Sequence, residues 1–95
     1  MKNAHVVQAL LGKRISGVVV KKADRPPYSQ LFLIFDDDTY YEFYCDSQIC
    51  GAGGVDDGGL TDVLNYMPEH EVVVKATLDR LKGPQLEYGH DAKSI

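Results

Sequence analysis

The run Gln30-Leu31-Phe32-Leu33-Ile34-Phe35 constrains this chain more than any other feature. It is followed by a short polar stretch, Asp36-Asp37-Asp38-Thr39, and then by a return segment, Tyr40 to Cys45. Strand, polar turn, strand is the pattern of a β-hairpin, with Asp38 at a turn position that favours a left-handed residue. Side chains alternate along a strand, so Leu31, Leu33 and Phe35 share one face while Phe32 and Ile34 share the other. On the return strand Tyr41, Phe43 and Cys45 point one way, and Tyr40, Glu42 and Tyr44 the opposite way. A strand that is apolar on both faces is expected inside a sheet, with each side covered. The chain is too short to supply both covers from two small helices, so one aromatic face is expected to meet another molecule.

The remaining elements follow from periodicity and breakers. Asn3 can cap a helix whose stripe is Val6, Val7, Leu10 and Leu11, with Gly12 past its end. Nine residues are too few for an isolated helix, so it must dock on a sheet. Arg14 to Lys22 is rich in β-branched residues and closes on Lys21 and Lys22, read as solvated charge that deters edge pairing. Asp24-Arg25-Pro26-Pro27 interrupts it. Asp46 to Gly59 holds five of the nine glycines and reads as a mobile loop. Leu60, Val63, Leu64 and Met67 fit a helical stripe that Pro68 stops. Glu71 to Leu78 reads as a fourth strand with Val72, Val74, Ala76 and Leu78 on one face. Leu86–Tyr88 is expected as a short edge strand, and residues 89–95 are expected to fray.

The fold class expected is α+β: a mostly antiparallel sheet of four to five strands with two short helices, in a single domain spanning residues 1–95. A small half-open β-barrel is the alternative, because Gly17 permits a sharp bend in the first strand.

Charge and cysteine content narrow the function classes. Fourteen acids against ten bases give a net charge of −4, which counts against direct nucleic-acid binding by phosphate neutralisation. No apolar run approaches the ~20 residues of a membrane span, and the first residues lack the hydrophobic stretch of a secretion signal. A bacterial-type cytoplasm is the expected setting. Cys45 and Cys50 are expected as two reduced thiols, with a dithiol switch as the alternative. They fall short of a zinc set, and His5, His70 and His90 are scattered.

No motif names a reaction. Gly51-Ala52-Gly53-Gly54 has neither dinucleotide-loop spacing nor the lysine of a P-loop, and Asp56-Asp57 beside it would repel a phosphate. Asp36-Asp37-Asp38 lacks the alternating spacing that wraps calcium. Glu42, between Tyr40 and Tyr44, is the one candidate for acid–base chemistry, set against a plainer role as a strand position among tyrosines. No cofactor or metal is called for, and an enzyme ranks behind a binding module.

The reading favoured is a non-catalytic protein–protein interaction or self-association module, acting as a homodimer or on a protein partner. Its interface is expected at Phe32, Ile34, Tyr40, Glu42 and Tyr44, since aromatic side chains concentrate at interface centres. The first alternative is a small-ligand site lined by Tyr41, Phe43 and Tyr66 under the glycine-rich segment as a lid. The second is an acidic decoy for a nucleic-acid-binding protein, using Asp36, Asp37, Asp38, Glu42 and Asp46 on one exposed side.

Overall fold

A computed structural model describes residues 8–46 and 49–89. The hairpin forms where the alternation places it, with β2 at Ser29–Phe35 and β3 at Thr39–Asp46. Asp38 takes the left-handed conformation at its turn, with φ 62°. β1 covers Ile15–Lys22, β4 Ile49–Asp57, β5 Glu71–Asp79 and β6 Gly83–Tyr88, and the helix α1 spans Leu60–Asn65. These strands form one six-stranded sheet in the order β4-β3-β2-β1-β5-β6, every neighbouring pair antiparallel. The molecule is thus mostly β, with more strands than the four to five expected and one short helix among the described residues. The sheet is open, not a barrel; Gly17 instead marks a register shift in the β1–β2 pair. The helix expected from Asn3 falls largely on residues 1–7, outside the described set, as does most of the tail expected at residues 89–95. No helix among the described residues is long and apolar enough to cross a membrane.

The chain leaves β4 at one edge of the sheet and must next place β5 beside β1, three strands away. α1 makes that crossing over one face. Val63 is fully buried there against Val19, Phe32 and Ile34, with Leu60, Leu64, Tyr40 and Val72 packed around them. Met67, expected on the helical stripe, lies beyond the helix end with φ 49°. A register shift between Val20 and Lys21 brings Val72 to the helix side while Val74 and Ala76 pair with Val20 and Val18 on the other. That bulge corrects the single apolar face expected for Val72, Val74, Ala76 and Leu78.

Three further expectations are overturned. The glycine-rich segment is not a loop: residues 49–57 pair with β3 along their length, with Gly53 accommodated at a bulge. The reason is steric complementarity with β3. A Cβ on Gly51 would sit 3.2 Å from the Tyr44 hydroxyl, and one on Gly53 only 2.7 Å from Glu42 Oε1. The glycines give the bulky side chains of β3 room to lie across β4. Cys45 and Cys50 face each other in this same pairing and form a disulfide, replacing the two reduced thiols expected. Finally, β1 is internal, so Lys21 guards no edge. It is fully buried.

On the side away from α1, the registers align two apolar rows across all six strands. One runs Val55, Tyr41, Leu33, Val18, Ala76, Leu86; the other Ala52, Phe43, Leu31, Val20, Val74, Tyr88. No charged side chain interrupts either row.

Candidate functional site

α1 is only six residues long and covers β1 and β2 better than it covers β3 and β4. Past its end, a cleft of about 430 Å³ opens between β3, β4, the Pro26-Pro27 turn and the segment Tyr66-Met67. Tyr40, Glu42 and Tyr44 project into it from alternate positions of β3, and Gly53 and Asp56 line it from β4. Of the five residues expected at an interface, these three meet in one cavity.

The other two do not reach the surface. Phe32 is 0% exposed and Ile34 4%, because α1 sits on them. Phe32 nonetheless shapes the site from beneath. Its ring lies 6.2 Å from that of Tyr40 and 6.1 Å, edge-on, from that of Tyr66, within the range of favourable aromatic packing. The sheet divides the ligand site expected at Tyr41, Phe43 and Tyr66: Tyr66 lines the cleft, while Tyr41 and Phe43 belong to the opposite face. The lid of that reading is likewise absent, since its residues are β4.

Glu42 is held by a chain of buried polar groups. Its Oε2 accepts a hydrogen bond from Gln30 Nε2 at 2.8 Å, and Gln30 Oε1 accepts one from His70 Nδ1 at 2.8 Å. Because an amide oxygen only accepts, this bond places the proton of His70 on Nδ1. Among the described residues His70 Nε2 is buried without a hydrogen-bond partner, and Glu69 Oε1 lies 4.0 Å away. Glu42 Oε1 receives no hydrogen bond from the described residues and lies against Gly53 at the cleft wall.

Lys21 rises from β1 behind this wall. Its Nζ donates to the Val63 carbonyl at 2.7 Å and to the Tyr66 carbonyl, and lies 5.5 Å from the centre of the Phe32 ring. These carbonyls belong to the C-terminal end of α1, where the helix dipole favours a cation. Burial pushes the Lys21 ammonium below its ordinary pKa, and the nearby Glu42 and Glu69 carboxylates counteract that shift. Burial also raises the phenols of Tyr40 and Tyr66 above their ordinary value; Asp56 and Glu42 add to both shifts. The cleft is therefore aromatic and electronegative.

The acids expected on one exposed side do not gather. Asp37 pairs with Lys13 at 2.6 Å, Asp36 with Arg14 at 3.7 Å, and Glu42 is buried. The side chain of Asp46 lies outside the described set. Among the described residues no group of three His, Cys, Asp or Glu converges as a metal site.

Sequence reasoning missed Lys21, Gln30 and His70 because their partners are distant in the chain. One signal was present: Gln30, like Lys21, is a polar residue at the end of an apolar strand and on the same face as Phe32. Compared with protein-family models, with curated proteins and with solved structures, the chain finds no match in any of the three.

Proposed function

We propose that this protein is a non-catalytic binding module whose working surface is the Tyr40–Glu42–Tyr44 face of β3, completed by Tyr66 and Asp56. The observation that carries this reading is the cleft itself: a concave site of ligand-binding size, walled by aromatic rings, with a carboxylate fixed at its base. The protein partner it receives is a segment that inserts a side chain, because the cleft is open and the rings are half-exposed. Incorporating a photo-crosslinking benzoylphenylalanine at position 44, and at the exposed position 81 as control, tests it in native lysate. Discrete adducts from position 44 that disappear with Tyr40→Ala support the reading. Equal labelling from both positions, or none from position 44, refutes it.

A second reading, self-association, is favoured by the two uncharged rows on the opposite face. Six strands spaced ~4.8 Å apart and roughly seven residues long give a face of about 600 Å². Two copies packed face to face would bury at most about 1,200 Å² in total, at the lower bound of stable interfaces, and less around Tyr41, which is already buried. Light scattering of the parent and of Phe43→Asp checks this: a dimer that the substitution splits supports it, and a monomeric parent removes it.

A further inference from the structure

We propose that the cleft recognises an alkylammonium group, a cation carrying methyl or methylene carbons, as the chemical class of its ligand. This inference rests on the binding reading above and specifies what is bound. Three phenol rings, Tyr40, Tyr44 and Tyr66, surround the space, joined by Pro26, Pro27 and Met67 as apolar wall. The faces of aromatic rings carry negative charge density and attract cations, most strongly where water is excluded. The two ionisable groups of the wall other than phenols, Glu42 and Asp56, are both acids.

Alternative ligand classes fit less well. An anion would face both carboxylates. A neutral apolar group would leave Glu42 Oε1 without a donor in a residue that is nine-tenths buried. A bare divalent cation would want several converging oxygen ligands, which the described residues do not assemble. Lys21 does not fill the role from within, because its Nζ is turned to the Val63 and Tyr66 carbonyls. Counting its charge against Glu42 still leaves Asp56 without an ion-pair partner among the described residues, so the cavity keeps a surplus negative charge. An ammonium with short carbon substituents satisfies each feature at once: carbons on the rings, charge toward Glu42 and Asp56. The cleft volume, about 430 Å³, accommodates such a headgroup with part of its stem.

The same headgroup occurs on a free small molecule and on a modified lysine side chain, and the test separates them. The full chain is titrated by NMR with choline, with its neutral carbon isostere 3,3-dimethylbutan-1-ol, and with one peptide carrying either trimethyl-lysine or acetyl-lysine. Saturable shifts of the Tyr40, Tyr44 and Tyr66 ring signals are expected, with choline at least tenfold tighter than the isostere. A trimethyl-lysine peptide at least tenfold tighter than choline identifies a protein source; the reverse order identifies a free ligand. Asp56→Asn, at an exposed position, is expected to weaken choline several-fold while leaving the unfolding midpoint unchanged. Equal binding of choline and isostere overturns the cation assignment, as does unaltered choline affinity in Asp56→Asn. Choline that binds no tighter than its isostere thus overturns the cation assignment while leaving the binding module intact, whereas absence of position-44 crosslinks defeats the binding reading itself.

Discussion

Lys21→Met is the most informative single change in this molecule. Methionine keeps an unbranched stem of similar length, so the packing between β1 and α1 is largely retained. What disappears is the ammonium that bonds the Val63 and Tyr66 carbonyls and stands near Glu42. The Val63 carbonyl keeps a longer bond from the Tyr66 N–H at 3.3 Å, so the part-buried Tyr66 carbonyl is the acceptor left short, at about 1–3 kcal/mol. Burial disfavours the ammonium more than the Glu42 and Glu69 carboxylates favour it, so loss of the charge offsets part of that cost. The net expectation is a loss of about 1–2 kcal/mol, from a total of roughly 5–14 kcal/mol for a chain of this length. Urea unfolding followed by tyrosine fluorescence measures it, since the chain has six tyrosines and no tryptophan. Adding Glu42→Gln should restore about 0.5–1 kcal/mol, because the second change removes a buried carboxylate charge that the Lys21 ammonium no longer offsets. The pH dependence carries the opposite sign from an ordinary lysine pair. With its pKa depressed in the folded state, Lys21 binds fewer protons folded than unfolded in the window below 10.5, so parental stability rises with pH there. Lys21→Met loses that slope. A variant within about 0.5 kcal/mol of the parent, with the slope unchanged, would refute the coupling of Lys21 to α1 and Glu42.

Other outcomes can be stated more briefly. Gly53→Ala places a methyl 3.1 Å from the Glu42 Cβ, which has little freedom to move, so a loss of about 1–3 kcal/mol is expected in urea melts. Gly51→Ala meets the mobile end of Tyr44 and should cost less; the reverse ranking would remove the steric account of β4. Tyr40 and Tyr66 have raised pKa values, so their contribution to stability is complete below pH 10 and lost as pH rises through the folded values. In an ultraviolet titration, Tyr66→Phe should delete a phenol that ionises above pH 10, and deletion of one ionising lower would contradict this. Reducing the Cys45–Cys50 disulfide should lower stability by about 2 kcal/mol, the chain-entropy value for so short a loop, and urea melts with and without reductant report it.

The hairpin was legible because alternation within β2 and β3 is a local property, written in consecutive residues. So were the helix around Val63 and the β-branched strand before Asp24. The character of residues 49–57 was not legible, because glycine content describes the segment alone. Its pairing depends on Tyr44 and Glu42 in the neighbouring strand, and that fit is visible only once β3 lies beside it. The face assignment failed for a related reason. Phe32 and Ile34 were correctly grouped with Tyr40 and Tyr44, but where the chain crosses from β4 to β5 decides which half of that face α1 covers. The half nearer β1 became core, and the half nearer β4 became a cleft. Lys21 misled by type: a lysine at a strand end is ordinarily solvated, and its partners lie 42 and 45 residues away.

That separation bears on how the molecule assembles. A six-residue helix has no standing of its own in water, and the cation that completes its last turn arrives from the opposite third of the polypeptide. α1 must therefore order after β1 has found β2, as a consequence of the ribbon beneath it and not as a seed for it. Substitutions at Val63 should then accelerate unfolding and leave the refolding rate almost unchanged.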